Sequence, residues 1–464
     1  MTETGPYIGS YGALGYAKEL TLGTPVAATG YVPFADVSLE KDPGMIAVKA
    51  ARQQRELSVY YVPGEQKISG TLSFPLFAIM GMPLVVGAIG YDKYVTGSAP
   101  LTPTTLAGAA AAAATSISTA ASFSASDVIE IDTGPQAETR TVTTVTGEGP
   151  YTVNFSGGLA YSHLVGATVA KLATAGTISS AAAAGAGSVA SALSVTEGEF
   201  VQIGTAGNGN AEVHQVLSDT ADTITFAAGE TLLYAHSSGD AIVQVAAPFL
   251  HWIFQQNAVQ SFTLEEDLGG LASIQWAGIV PSKLSIKGTT KTEAQVQLTC
   301  DGQSDTQIAP TTPSFSADQP FVLAGTQISA LSAVDLAAES FELDVDNQTE
   351  PRWTYSGKRS PTYLPSKGRV VGFKMTRSLQ DMSYYDALPS VTATTVVTDQ
   401  VEAVYLVSGS DALLFSIPQG TTIKLSQPEK VGEVIMQDLS FQAFLGTNAN
   451  SMTAALATQQ WLPY

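Results

Sequence analysis

The sequence predicts a mainly β fold: a duplicated β-rich unit whose first copy is interrupted by two small β-modules in tandem. Three internal echoes carry that expectation. The first joins Tyr61-Val62-Pro63-Gly64-Glu65-Gln66-Lys67-Ile68-Ser69-Gly70 to Tyr363-Leu364-Pro365-Ser366-Lys367-Gly368-Arg369-Val370-Val371-Gly372. Tyr, a branched apolar residue, Pro, a base, a second branched residue and Gly recur at one spacing. The second joins Leu284-Ser285-Ile286-Lys287, ahead of Val296 and Leu298, to Ile423-Lys424-Leu425-Ser426, ahead of Val434 and Met436. The third lies inside the interruption, where Asp127-Val128-Ile129-Glu130-Ile131-Asp132-Thr133 is echoed by Glu199-Phe200-Val201-Gln202-Ile203-Gly204-Thr205. Repetition of this kind sets the organisation of a chain before any single element is assigned.

Composition narrows the function classes. With 464 residues, 45% of them hydrophobic and only 13% charged, the chain can bury more than one core, and length alone suggests about three domains. The net charge of −20 and the lack of any basic run argue against a surface that grips nucleic acid, because phosphate binding needs clustered Lys and Arg. One cysteine, Cys300, excludes an intrachain disulfide framework and a multi-cysteine metal site. Its strand-like context makes it a small core residue. Met1-Thr2-Glu3-Thr4-Gly5 has neither the basic region nor the apolar core of a signal peptide.

In chain order, residues 7–33 read as an arm or edge strand followed by a turn, through Gly15-Tyr16-Ala17-Lys18-Glu19 and Gly23-Thr24-Pro25. Residues 34–39 are a strand candidate, and Arg52, Arg55 and Glu56 form a charged loop. Pro63 and Pro365 belong at a strand start or edge, since proline donates nothing to a ladder. Beyond them Ile68, Gly70 and Leu72, and in the second copy Val370, Gly372 and Lys374, alternate as half-buried strands do. The uncharged run over residues 74–91 approaches membrane-spanning length. Its prolines and glycines instead predict a short buried helix, with a more polar counterpart over residues 378–385.

At about Leu101 the composition turns to Ala, Ser and Thr, with six alanines in a row from position 109. From there to Ala247 twelve acidic residues face only Arg140 and Lys171, so 12 − 2 supplies half the net charge. The tandem repeat continues with Thr152-Val153-Asn154-Phe155 and Thr223-Ile224-Thr225-Phe226. It also pairs Tyr161, His163 and Gly166 with Tyr234, His236 and Gly239. The expected divisions are 1–104 with 248–310 for the first unit, 105–172 and 173–247 for the modules, and 311–464 for the second unit. Strands are expected over 261–265, 271–279, 283–286 and 295–300, then a linker over 301–319. In the second copy they are expected over 341–345, 401–407, 412–417, 422–425 and 434–444.

No catalytic constellation stands out. One histidine per module lacks the convergent partners of a metal site, so His163 and His236 read as hydrogen-bonded structural residues at turns. Asp127, Glu130 and Asp132 lack the spacing of a calcium loop and read as a solvated acidic face. Glu265 and Glu266 adjoin a Gly-Gly turn. Neighbours on a strand face opposite ways, so they do not flank one bond as a glycosidase pair does, and the expectation is an exposed turn charge.

Four stretches in this order resemble the major tail tube protein of long-tailed bacteriophages. They are Gly15-Tyr16-Ala17-Lys18-Glu19 to Gly23-Thr24, Val62-Pro63-Gly64 to Ser69-Gly70, the strand series over 261–302, and Lys424-Leu425 to Phe441-Gln442-Ala443-Phe444-Leu445. The resemblance covers the core and not the insertion. It implies two tube-type β-sandwich units, each with a short helix, whose inner sheets join those of neighbours in a closed barrel around a DNA channel. Most family members carry one unit and form six-fold rings. Two units per chain therefore imply a homotrimeric pseudo-sixfold ring, stacked into a tube in the virion tail after assembly in the host cytoplasm. The implied partners are further copies of the chain and other tail proteins (tape measure, tail tip and terminator). DNA passes without specific binding, the membrane is not involved, and no cofactor or enzyme activity is expected. The alternative is a receptor- or glycan-binding tail protein using its modules, in which Tyr151, Tyr161 and Tyr234 would supply rings.

Overall fold

In a computed structural model the described residues are 12–49, 58–98, 104–123, 125, 127–131, 138–147, 149–171, 175–205, 208–330, 333–386, 388, 399–408, 411–427, 434–444 and 450–464. The protein is mainly β, with 55% of residues in strands and 3% in helix. It divides into two compact units. Unit 1 holds Met1–Asp92, Trp252–Ala457 and Tyr464, and unit 2 holds Lys93–His251 and Thr458–Pro463.

The chain opens with β1 (Leu14–Lys18), β2 (Gly30–Val32), β3 (Asp36–Val37), β4 (Glu40–Asp42), β5 (Met45–Lys49), β6 (Ser58–Pro63) and β7 (Lys67–Pro75), then α1 (Met82–Ile89) and β8 (Gly90–Ser98). The first module contains β9 (Thr104–Thr105), β10 (Ser116–Thr119), β11 (Val128–Ile131), β12 (Glu138–Thr146), β13 (Tyr151–Phe155) and β14 (Thr168–Lys171). The second contains β15 (Ala175–Thr177), β16 (Ser188–Ala190), β17 (Phe200–Ile203), β18 (Glu212–Thr220), β19 (Thr223–Phe226) and the start of β20 (Ala241–Gln255). There follow β21 (Phe262–Asp267), β22 (Ser273–Thr289), β23 (Gln295–Gly302), β24 (Ser304–Ile308), β25 (Val322–Ala330), β26 (Ala333–Val334), β27 (Ala338–Asp346) and β28 (Val370–Ser378). Last come α2 (Ser383–Asp386), β29 (Asp399–Ser408), β30 (Asp411–Ser426), β31 (Met436–Ala443) and β32 (Thr453–Thr458).

Unit 1 repeats itself strand for strand. In the first copy β1 pairs β21, β21 pairs β22, β22 pairs both β23 and β24, and β23 pairs β7, which carries β3 and β4. In the second, β25 pairs β29, β29 pairs β30, β30 pairs both β31 and β32, and β31 pairs β28, which carries β27. The chain visits these positions in the same order each time, with a helix after β7 and another after β28. The long strands β22 and β30 each change partners midway, β22 from β21 and β24 to β23 and β27, and β30 from β29 and β32 to β31. Strands that switch in this way turn the corner of a sandwich at a bulge or bend. The bulges fall at Ser282 and Ile423.

α1 is apolar on nearly every side, and such a helix belongs in a core. All its residues but Pro83 are buried. Gly81, at φ 71°, provides the left-handed residue at its start, Pro83 lies in the first turn where its missing N–H costs nothing, and Gly90 closes it. The core of unit 1 gathers Phe74, Phe262, Phe321, Phe373, Phe415 and Phe441 with leucines and isoleucines from both copies. Cys300 is buried among them, and burial pushes its thiol up, with Asp301 adding to the effect.

Each module of unit 2 has its own core, one around Ile129, Ile131, Val153 and Phe155, the other around Val201, Ile203, Ile224 and Phe226. Their strand orders match: β9-β14-β11-β12-β13-β10 against β15-β20-β17-β18-β19-β16. A bulge interrupts β12 after Val142 and β18 after Val216.

Several expectations are corrected. β1 is not an edge: Leu14, Gly15 and Tyr16 are paired on both sides, to β2 and to β21. The expected linker contains β24, paired to β22. Glu265 is no exposed turn charge but a buried residue of β21. Its carboxylate accepts hydrogen bonds from Ala28 N, Thr311 and Gln275. Arg52, Arg55, Glu56, Asp132 and the side chain of Glu130 lie outside the described residues.

Candidate assembly interface

The longest ladder joining the two copies in unit 1 is an antiparallel seam, residues 283–289 of β22 against 340–346 of β27. Apolar residues of the seam turn into the core: Leu284, Ile286, Leu343 and Val345 are all fully buried. The opposite face carries an ion-pair ladder. Lys283 Nζ lies 3.3 Å from Asp344, Lys287 Nζ lies 2.9 Å from Glu342, and Lys374 Nζ sits 2.9 Å and 3.1 Å from Glu342 and Asp344. Partial burial pushes the Glu342 carboxyl up, but the ammonium groups of Lys374 and Lys287 overcome this and hold it at about 2.

The repeat shows where the same seam has no strand in place. β22 uses one edge for β23 and the other for β27. β30 uses one edge for β31, and among the described residues its other edge over 423–426 carries no strand. Likewise β27 lies between β22 and β28, whereas among the described residues β3 and β4 are paired to β7 alone. Among the described residues the unit therefore shows two half-seams.

Register follows from the bulges. Aligning Ser282 with Ile423 matches Lys283, Leu284 and Ser285 to Lys424, Leu425 and Ser426. The cross-strand row Leu72–Leu298–Leu284 then matches Met375–Leu439–Leu425. Through β7 and β28, residues 37–42 match 341–346, with Glu40 at the place of Asp344 and Asp42 at that of Asp346. Glu40, Asp42 and Lys424 are all exposed. The internal pair Lys283–Asp344 thus has its counterpart in Lys424 on one edge and Glu40 on the other.

The duplicated motif lies beside these edges, in a shifted register. Ile68 is buried, but Val370 is exposed and Val371 is the buried residue. Gly70 pairs with Cys300, whereas Gly372 pairs with Gln442 and Phe373 takes the matching place. Pro63 closes β6 rather than opening β7, on the edge of the two-stranded β5–β6 ribbon. Tyr61 and Tyr363 are exposed on the returning arms of matching excursions, bridged to Ala47 and Arg352, and Pro365 accepts from Glu350 N. In the second echo Ile423 and Val434 are exposed while Leu284 and Val296 are buried, so that echo is also out of register.

In the modules the paired residues come together around carboxylates that the sequence reading missed. His163 Nε2–H donates to Glu138 at 2.8 Å, and His236 Nε2–H donates to Glu212 at 2.8 Å. The backbone N–H of Tyr161 and of Tyr234 donates to the same carboxylates. Gly166 and Gly239 turn the chain at φ 87° and 94°. Glu138 is followed two residues later by Arg140, and Glu212 by His214, and both basic groups bond back to the glutamate. Burial raises Glu212, but hydrogen bonds from His214, His236 and Leu233 N bring it to about 2. Asp127 pairs with Lys171 at 2.8 Å. Among the described residues no cluster of three or more His, Cys, Asp or Glu is arranged to hold a metal ion, and no helix is long and apolar enough to cross a membrane.

No protein-family model matches the chain, and no curated protein matches it.

Proposed function

We propose that the chain is a self-assembling structural protein that closes head to tail into rings, as the tail tube of a long-tailed bacteriophage does. The carrying observation is the internal seam together with the two matching half-seams at the ends of the repeat. A strand edge with open N–H and C=O groups is a template for another strand. A head-to-tail contact makes a ring when its rotation closes. With two repeats per chain, the reading is a homotrimeric pseudo-sixfold ring, in which Lys424 of one copy meets Glu40 and Asp42 of the next. We assign the ion-paired face of the sheet to the channel. Lys67, Lys283, Lys287 and Lys374 are each partnered by a carboxylate there, which leaves little for DNA phosphate to hold.

Negative-stain electron microscopy with native mass measurement tests this. The wild type is expected to give three-chain rings or hollow tubes. Lys424→Glu should stop assembly, as should Glu40→Lys with Asp42→Lys, and all three changes in one chain should restore it. Rings unaffected by any of these would reject the seam. A persistent monomer that binds bacterial glycans would reject the tube and favour the receptor-binding alternative.

A further inference from the structure

Outside the seam, the most constrained charge cluster lies in the second module around His214. Its Nε2 is 3.0 Å from Glu212 and its Nδ1 is 3.2 Å from Glu230, while the ring stacks on Phe226 at 4.3 Å. A neutral imidazole has one N–H and one lone pair, so it cannot donate to two carboxylates at once. The ring must be doubly protonated. The first module supports this independently, because the residue in the same place is Arg140, which is always charged. Burial lowers the His214 pKa, but the two carboxylates outweigh it and the net direction is upward.

Glu230 links this cation to the strap Thr458–Pro463. Its second oxygen accepts the Trp461 indole N–H at 3.0 Å, and Gln215 N donates to the first. Trp461 packs on Phe200 and Phe249, and His251 Nε2–H donates to Gln460 O at 2.8 Å, a bond that a neutral ring also makes. The strap itself has no charged side chain. Among the described residues, His236 also faces the cluster through Glu212, with Asp240 at 3.4 Å from its Nδ1. A cavity of about 530 Å³, lined by His214, Glu212, Glu230, Trp461 and Leu462, lets protons reach the site.

We propose that His214 is a proton-dependent clamp that holds the strap on the second module and lets go at alkaline pH. Its folded pKa is raised, so the clamp is intact below the ordinary histidine value and fails as pH rises through the folded one. Deprotonation leaves one N–H for two carboxylates. Kept on the shorter bond, to Glu212 at 3.0 Å, it leaves Glu230 at 3.2 Å facing a nitrogen lone pair, and the strap's anchor is weakened.

The test is imidazole and indole NMR of the full chain, with the Trp461 N–H assigned by Trp461→Phe. His214 should titrate above about 6.5. Near pH 9, exchange of the Trp461 N–H should be about tenfold faster in the wild type than in His214→Arg, which copies Arg140, and equal near pH 6. His214→Gln should exchange fast at both. A His214 pKa at or below the ordinary value, or equal exchange in wild type and His214→Arg near pH 9, would overturn the clamp. The arginine variant and the wild-type titration decide the matter even where the glutamine variant does not fold.

Discussion

At the scale of single residues, the buried carboxylates of the modules are where small changes cost most. Glu212 satisfies two imidazoles and the N–H groups of Leu233 and Tyr234. Glu212→Gln keeps the shape but removes the charge that two buried cations or donors face, and breaking such a pair costs about 3 kcal/mol. Denaturant unfolding of the variant should show that loss. The same group sets an acid limit: its pKa is depressed, so its stabilisation is present above the ordinary carboxylate value and is lost as pH falls to about 2. Acid titration of the wild type, followed by circular dichroism, should therefore lose module structure in that interval. Cys300 makes a contrasting prediction. Buried and held as the thiol, it should stay inert to a thiol reagent in the folded chain and react only in denaturant.

At the scale of elements, Gly70 fixes how β3 and β4 cross β7. A Cβ there would come within 2.2 Å of Ser38 O and 2.7 Å of the Leu39 Cα, both backbone. Gly70→Ala should therefore displace the segment between β3 and β4, costing about 1–3 kcal/mol by overpacking. In the assembly assay it should weaken ring formation more than its effect on melting would suggest. The elements themselves were largely legible. Alternation announced β21, β27 and β28, the apolar run with its glycines announced α1, and the tandem echoes announced both modules. Register was not legible, for physical reasons. Val370 and Val371 are both apolar, so the letters do not say which one turns inward. The bulges at Ser282 and Ile423 reverse the facing of a strand midway, and no residue type marks them. Glu138 and Glu212 stood in plain view as Glu-x-Arg and Glu-x-His. Their histidine partners are more than twenty residues further on, and only folding brings them together.

At the scale of the whole molecule, duplication changes the arithmetic of assembly. In the ring proposed above, half the seams would be built inside chains, where the partners are held at high effective concentration. Only the remaining seams draw on the entropy of bringing separate molecules together. The proposed interchain seams would be charge-assisted and exposed at their rim, so raising salt should slow ring formation by screening Lys424 from Glu40 and Asp42. The internal seam, closed over Leu284, Ile286, Leu343 and Val345, should persist. Light scattering across a salt series, beside a melting curve of the unassembled chain, separates the two.

The chemistry of the two end edges has one more effect. Among the described residues, one presents Glu40 and Asp42, with Lys41 engaged by Asp305, and the other, over 423–426, presents Lys424 and no acid. Two like edges set against each other would oppose carboxylate to carboxylate or ammonium to ammonium, which is unfavourable across a β-ladder. Under the proposed assembly, this disfavours two-fold dimers through a single edge, which would be dead ends with nowhere left to grow. Growth of the proposed ring would then have a direction, and a stray strand from another protein would meet a charge before an open backbone.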